Sequence, residues 1–236
     1  MAEFVVEFGR DGRPVEADGR LDAAAFHRNH AAIWAVLQPF LADRTGDVVE
    51  AGSGTGQHVV HFARLTPDIT WWPSDLNEKH LVSIEAWRAH SGLSNIKPPL
   101  RIDLADPAWC WSMHDDNGQG DPGPQQLLAV FCANVIHIAP WRVAEGLFAG
   151  AGRCLRADGR LFLYGPFKRG GKHTAVSNAV FDTSLRERDP EWGVREVEAL
   201  EQLAADAGLV LVQTAEMPAN NLILAFARAQ KGDPGA

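Results

Sequence analysis

The stretch Asp47-Val48-Val49-Glu50-Ala51-Gly52-Ser53-Gly54-Thr55-Gly56-Gln57 decides how the rest of the chain is read. Residues 47–51 form a short, largely apolar run of the kind a buried strand uses, and glycine then stands at every second position. A helical pattern opens at about Gln57 and runs to Leu65. Strand, glycine turn and helix together make the first half of a βαβ unit.

Working outward, residues 21–41 read as a helix, because Phe26, Ile33, Leu37, Phe40 and Leu41 recur at the spacing of one apolar face. Downstream come a strand at 69–73, a helix at about 79–89 and a weaker strand at 100–104, preceded by Pro98 and Pro99. Residues 113–125 are dense in Gly, Pro and Asp and read as a surface loop. A strand at 127–133, a helix at 141–155 and a strand at 160–165 lead into a Gly- and Lys-rich loop. Helical stretches near 177–188 and 194–207 follow. Two β-rich runs, 210–217 and 222–228, are joined by a four-residue turn and predict an antiparallel hairpin. Alternating strands and helices predict an α/β class chain with a doubly wound, mostly parallel sheet.

The 236 residues are 46% hydrophobic and 22% charged, an ordinary globular composition. Lys and Arg number 22 against 30 Asp and Glu, a net charge of -8 that speaks against a nucleic-acid-coating protein. Cys110, Cys132 and Cys154 are far apart and form no CxxC, which reads as reduced thiols in a cytoplasmic protein. The opening MAEFVVEFGRDGR does not read as a secretory signal, and no apolar run is long enough to predict a membrane span.

Ligands of doubly wound folds sit beyond the carboxyl ends of the strands, so the chemistry is sought there. The glycine loop feeds a helix amino end, which favours an anionic or carboxylate group. The dinucleotide fingerprint G-x-G-x-x-G fails, because the third glycine comes one residue early and a start at Gly54 meets Val59. Glu50 would also repel a pyrophosphate. A Walker loop fails too: residues 165–174 (GPFKRGGKHT) have one residue too many and His where Ser or Thr is needed. A cofactor with a sulfonium, an ammonium and one carboxylate suits Glu50 and the loop together, and S-adenosylmethionine is such a cofactor. Asp75, about twenty residues on, is placed to accept from ribose hydroxyls. Asp103, at the next strand end, is placed to accept from an adenine amino group.

Residues 48–56, Asp75, Asp103 and the closing hairpin resemble a class I S-adenosylmethionine-dependent methyltransferase over roughly residues 45–230. Three further motifs, ANVIHIAPW (133–141), LYGPFKRGGKHT (163–174) and EMPANN (216–221), resemble the methyltransferase-like protein twenty-six family. The resemblance implies a Rossmann-like methyltransferase fold with seven strands. It also implies an N-terminal segment, residues 1–44, covering the cleft of a core at 45–236, one compact domain overall. It assigns Glu50, Gly52 and Gly54 to the methionine end of the cofactor, Asp75 to the ribose, and Asp103 with Leu104 to the adenine, with Gly56, Gln57 and Leu76 as further cofactor-binding residues. Ala133 and Asn134 would lie under the sulfonium, and Arg28-Asn29 matches an Arg-Asn pair of the family's N-terminal helix.

On the acceptor side, His137 is the leading candidate base, followed by Tyr164 and His173. The competing reading packs His137 against Trp141. Trp141, Lys168, Asn220 and Asn221, with Arg28 and Asn29, are the candidate acceptor-binding residues. The basic run 168–173 reads either as a lid that draws in an anionic acceptor or as a solvated loop. His58 and His61 form H-x-x-H without a third ligand at a suitable spacing, so no metal is expected. The function expected is methyl transfer to a small molecule, with no nucleic-acid or membrane partner. A non-catalytic methyltransferase-like protein is the alternative, and a nicotinamide-dependent reductase a weaker one.

Overall fold

The computed structural model describes residues 13–14, 18–110 and 126–229. The loop expected at 113–125 and the opening residues MAEFVVEFGRDG lie outside the described residues. The chain divides into two compact units, Met1–Asp103 and Leu104–Ala236. Residues 1–44 fall in the first unit, together with the glycine loop.

In the first unit, β1 (Arg13–Pro14) and β2 (Leu21–Asp22) pair antiparallel. That ribbon takes up Leu21 and Asp22, so α1 (Ala24–Leu41) starts three residues later than its apolar spacing predicts. Ile33, Leu37 and Leu41 are buried, as expected of one face. β3 (Gly46–Ala51), α2 (Gln57–Leu65), β4 (Ile69–Asp75), α3 (Glu78–Ser91) and β5 (Leu100–Arg101) follow. β3 and β4 are parallel, with Val48 opposite Trp71 and Ala51 opposite Ser74. β4 therefore continues two residues past Pro73 and carries Asp75 at its carboxyl end. Trp71 and Trp72 are both buried, and each indole N–H is satisfied, by Thr66 Oγ1 at 2.9 Å and Asp47 Oδ1 at 2.8 Å.

The second unit contains β6 (Leu127–Ala133), α4 (Trp141–Cys154), β7 (Leu155–Gly165), β8 (Phe167–Arg169) and β9 (Lys172–His173). It continues with α5 (Val176–Arg188), β10 (Arg195–Glu196), α6 (Val197–Asp206), β11 (Leu209–Met217) and β12 (Asn221–Arg228). β6 and β7 are parallel, whereas β12 runs antiparallel to both β7 and β11. The strands are ordered β3-β4-β5 in the first unit and β11-β12-β7-β6 in the second, seven in all. The α/β class, the mostly parallel sheet and the closing hairpin are as the sequence predicts.

Two expectations change. The basic run at 168–173 is partly strand: β8 pairs antiparallel with β9 and parallel with β10. Its turn places Gly170 and Gly171 at φ 57° and 75°, a pair that glycine adopts without a Cβ penalty. Strands of two or three residues are too short for alternation to reveal. The thiols are the second correction, since Cys110 and Cys154 are joined in a disulfide, while Cys132 is a buried thiol. They stand 44 residues apart in sequence, but packing brings their Cα atoms to 6.4 Å. Cross-linking a loop of that length stabilises the fold by about 3–4 kcal/mol in the chain-entropy picture. The same segment lies tightly on α4: Trp109 donates to Gly146 O at 3.0 Å, and a Cβ on Gly150 would overlap its indole. Among the described residues no helix is long and apolar enough to cross a membrane.

Candidate functional site

The glycine loop of the first unit is fastened to the end of β4. Ser53 N–H donates to Ser74 O at 2.7 Å, while the Ser53 and Ser74 hydroxyls both donate to Glu50 O, at 3.1 and 2.9 Å. Gly52, Gly54 and Gly56 adopt φ of 74°, 59° and 89°, the left-handed region that L side chains avoid. At Gly56 a Cβ would also come within 2.9 Å of Ile84 Cα, so the loop rests directly on the α3 backbone. No side chain caps the amino end of α2. Beside this loop Glu50 is 2% exposed, and its Oε2 has no hydrogen-bond partner. Burial pushes its carboxyl up to about 8, against the pull of Ser53. A buried acid with one oxygen unpartnered suits a cationic ligand group.

Asp75 faces the loop from β4. Its Oδ2 accepts from Gly54 N–H at 2.9 Å and its Oδ1 from Asn77 N–H at 2.9 Å. His80 Nδ1 lies 3.1 Å from Oδ2. His80 went unnoticed in the sequence, although its place one turn past a strand-end acid was a usable signal. Leu76 is half-buried after Asp75, and Asp103 is exposed beyond β5.

Gln57 is buried and fully engaged. Its Oε1 accepts from Ala23 N–H at 2.7 Å and Thr55 Oγ1 at 3.0 Å, and its Nε2 donates to Asp22 Oδ1 at 2.6 Å. It ties the segment before α1 to the start of α2. Asn29 is buried with its Oδ1 2.8 Å from His58 Nε2, while Arg28 is exposed. Burial, with the charges of His30 and His61, pushes His58 down to about 3. Among the described residues no three His, Cys, Asp or Glu side chains converge into a set that could hold a metal.

In the second unit, Asn134 follows β6 at φ 58° and donates its N–H to Tyr164 O at 2.9 Å. A Cβ on Gly165 would sit 3.2 Å from the His137 ring and 3.7 Å from Asn134 Oδ1, so these three residues are gathered by the close approach glycine permits. His137 is buried, and burial together with the Arg195 charge pushes it down to about 3. Its ring lies edge-on to Phe181, at 5.7 Å between centroids. Its backbone is held by Gly193 N–H donating to His137 O at 2.9 Å, and Arg195 Nε donates to Ile136 O at 2.9 Å. Trp141 stacks on that guanidinium at 5.5 Å instead of on His137. Tyr164 is buried and accepts from Asn221 Nδ2 at 3.0 Å. Asn220 Nδ2 donates to Ser177 Oγ at 3.2 Å, while Asn178 Nδ2 donates to Asn220 O at 2.9 Å. Ala133 is half-buried at the end of β6, and Leu104 is buried.

Lys168 and His173 both meet a residue that the sequence did not single out. Asp182 on α5 is buried and meets Lys168 Nζ at 3.0 Å, His173 Nε2 at 3.0 Å and Arg186 Nε at 3.3 Å, and Val194 N–H donates to it at 2.7 Å. Burial pushes its carboxyl up, but Val194, Lys168 and His173 outweigh that and hold it at about 2. Nothing in the pattern of α5, a charged helix like many others, marks Asp182 in advance.

Several solved methyltransferases share this fold. An O-methyltransferase family protein from Burkholderia thailandensis is 16% identical, with a TM-score of 0.63 over 86% of this chain and 59% of its own. CalO1, a methyltransferase in calicheamicin biosynthesis solved in its SAH-bound form, is 17% identical, with a TM-score of 0.61 over 84% and 54%. Magnesium protoporphyrin IX methyltransferase from Synechocystis PCC 6803, solved with bound SAH, is 16% identical, with a TM-score of 0.59 over 85% and 81%. The chain thus spans little more than half the length of the first two. At these identities the likeness shows the class I methyltransferase fold. None of these matches supports the narrower resemblance to the methyltransferase-like protein twenty-six family. A family model described as protein of unknown function (DUF938) matches residues 20–228, and the chain belongs to that family.

Proposed function

We propose that this protein is an S-adenosylmethionine-dependent methyltransferase acting on a small-molecule acceptor. The observation that carries the reading is the buried, unpartnered Oε2 of Glu50 beside the three-glycine loop. A buried acceptor without a donor costs stability unless a ligand supplies one, and the cofactor's ammonium does so. Glu50 and the loop amides would hold the methionine end, Asp75 the ribose, and Asp103 with Leu104 the adenine, with Leu76 also bordering the cofactor. Ala133 and Asn134 would support the sulfonium. The cofactor supplies an already activated methyl group, so the chain's part is to bind, orient and exclude water.

His137, held near 3, is neutral at physiological pH and a weak proton acceptor. Tyr164 is oriented by Asn221, and His173 is turned to Asp182. An acceptor atom already unprotonated at neutral pH therefore suits these residues best. With Lys168, His173 and Arg186 converging on Asp182, the case for an anionic acceptor loses its main support. The net charge of -8 still favours a small acceptor over nucleic acid. A cytoplasmic location loses the support of the cysteines, two of which are paired.

Calorimetric titration with S-adenosylhomocysteine, with NADH in parallel, tests the reading. Micromolar binding of the former alone supports it; binding of neither removes it.

A further inference from the structure

We infer that His80 is a positioning residue for Asp75, acting on cofactor affinity through the ribose; this rests on the cofactor reading above. The carboxylate of Asp75 takes a hydrogen bond from one element and a close polar contact, without hydrogen-bond geometry, from another. Gly54 N–H reaches Oδ2 from the glycine loop at 2.9 Å, and His80 Nδ1 stands 3.1 Å from the same oxygen on α3. Asn77 N–H occupies one site of Oδ1 at 2.9 Å. A carboxylate offers about four acceptor sites, so these contacts leave Oδ1 with one to present to a hydroxyl.

The imidazole is itself placed by the start of α3. Asn77 caps that helix through Lys79 N–H at 2.9 Å, and His80 N–H donates to Asn77 O at 3.0 Å. The side chains of His80 and Asp75 are only 8% and 12% exposed. At that depth a contact between polar groups is screened weakly, and an alternative rotamer of Asp75 would forfeit it. His80 thus restricts Asp75 to the orientation that also braces Gly54, coupling the ribose carboxylate to the loop that holds the methionine end.

The test is calorimetry of the full chain with S-adenosylhomocysteine and with its 2′,3′-dideoxy analogue, which lacks the hydroxyls Asp75 would bind. His80→Ala is expected to weaken S-adenosylhomocysteine roughly tenfold while changing the analogue less than about twofold. His80→Leu, which refills the buried space without a donor, should show the same split if the alanine variant fails to fold. His80→Gln, which keeps a side-chain N–H, should recover most of the loss. Equal weakening of both ligands would mean a general loosening of α3 and overturns the inference, as does unchanged binding of S-adenosylhomocysteine. Absence of binding by the parent protein overturns the cofactor reading and this inference with it.

Discussion

Glu50 and Asp182 are both buried carboxylates, one in each unit, and their surroundings are opposite. Glu50 has an oxygen without a partner and is pushed up to about 8 by burial. Asp182 receives Lys168, His173, Arg186 and the Val194 N–H, and is held at about 2 despite its burial. The satisfied acid pins β8, β9, α5 and the segment at Val194 together, so it serves the architecture. The unsatisfied one is a cost the fold carries by itself and a ligand cation removes. Burial alone does not distinguish a site from a strut; the partner list does.

The strongest challenge to that contrast is Gly56→Val. At φ 89°, with Ile84 Cα 2.9 Å from a Cβ, the loop beside Glu50 has to move. Binding of S-adenosylhomocysteine should then drop by a factor of about 100 or more in calorimetry. Retained binding would put the cofactor elsewhere. Asp182→Ala strands Lys168 and Arg186, the His173 ring and a buried N–H, and should cost about 3 kcal/mol of stability. Differential scanning calorimetry should show this as a Tm lower by roughly 6–12 °C. A loss of S-adenosylhomocysteine affinity larger than the loss of stability would mean that Asp182 belongs to a binding site after all.

Glu50→Gln should do the reverse, weakening S-adenosylhomocysteine about tenfold while raising the Tm of the ligand-free protein at pH 8. The sign follows from linkage. A carboxyl raised from 4.5 to about 8 in the fold contributes stability that is complete below pH 4.5 and lost as pH climbs through 8. His58 and His137, both lowered from 6.5 to about 3, act at the other end. Their contribution is present above pH 6.5 and disappears as pH falls toward 3. Urea titrations across pH 4–9 should therefore show stability falling on both sides of neutrality, with the alkaline loss absent in Glu50→Gln. The smallest effect is Lys172→Ala, an exposed residue, expected within about 0.5 kcal/mol of the parent.

Much of the frame was legible in advance because its signals are local. α2 and β6 match their predicted bounds, since each is a continuous apolar pattern closed by glycine, proline or a polar break. The left-handed φ of Gly52, Gly54 and Gly56 is the conformation their residue type permits. Boundaries moved where a distant segment intervened. Leu21 and Asp22 left the first helix to pair with residues 13–14, and the small sheet at 167–173 depends on Arg195 and Glu196.

The sequence by itself determined the order of the long strands and the helices, the glycine loop after the first long strand, and the acids at the strand ends. Period and residue type suffice for these, because each is set by neighbours within a few positions. Only the tertiary structure decided which charges are free and which are spent. It bonded Cys110 to Cys154, turned Lys168 and His173 onto Asp182, engaged Gln57 with Asp22 and Ala23, and set His80 against Asp75. Hydrogen bonds and ion pairs act over about 3 Å in space without regard to separation along the chain, so a carboxylate's partners become known only when the chain is folded.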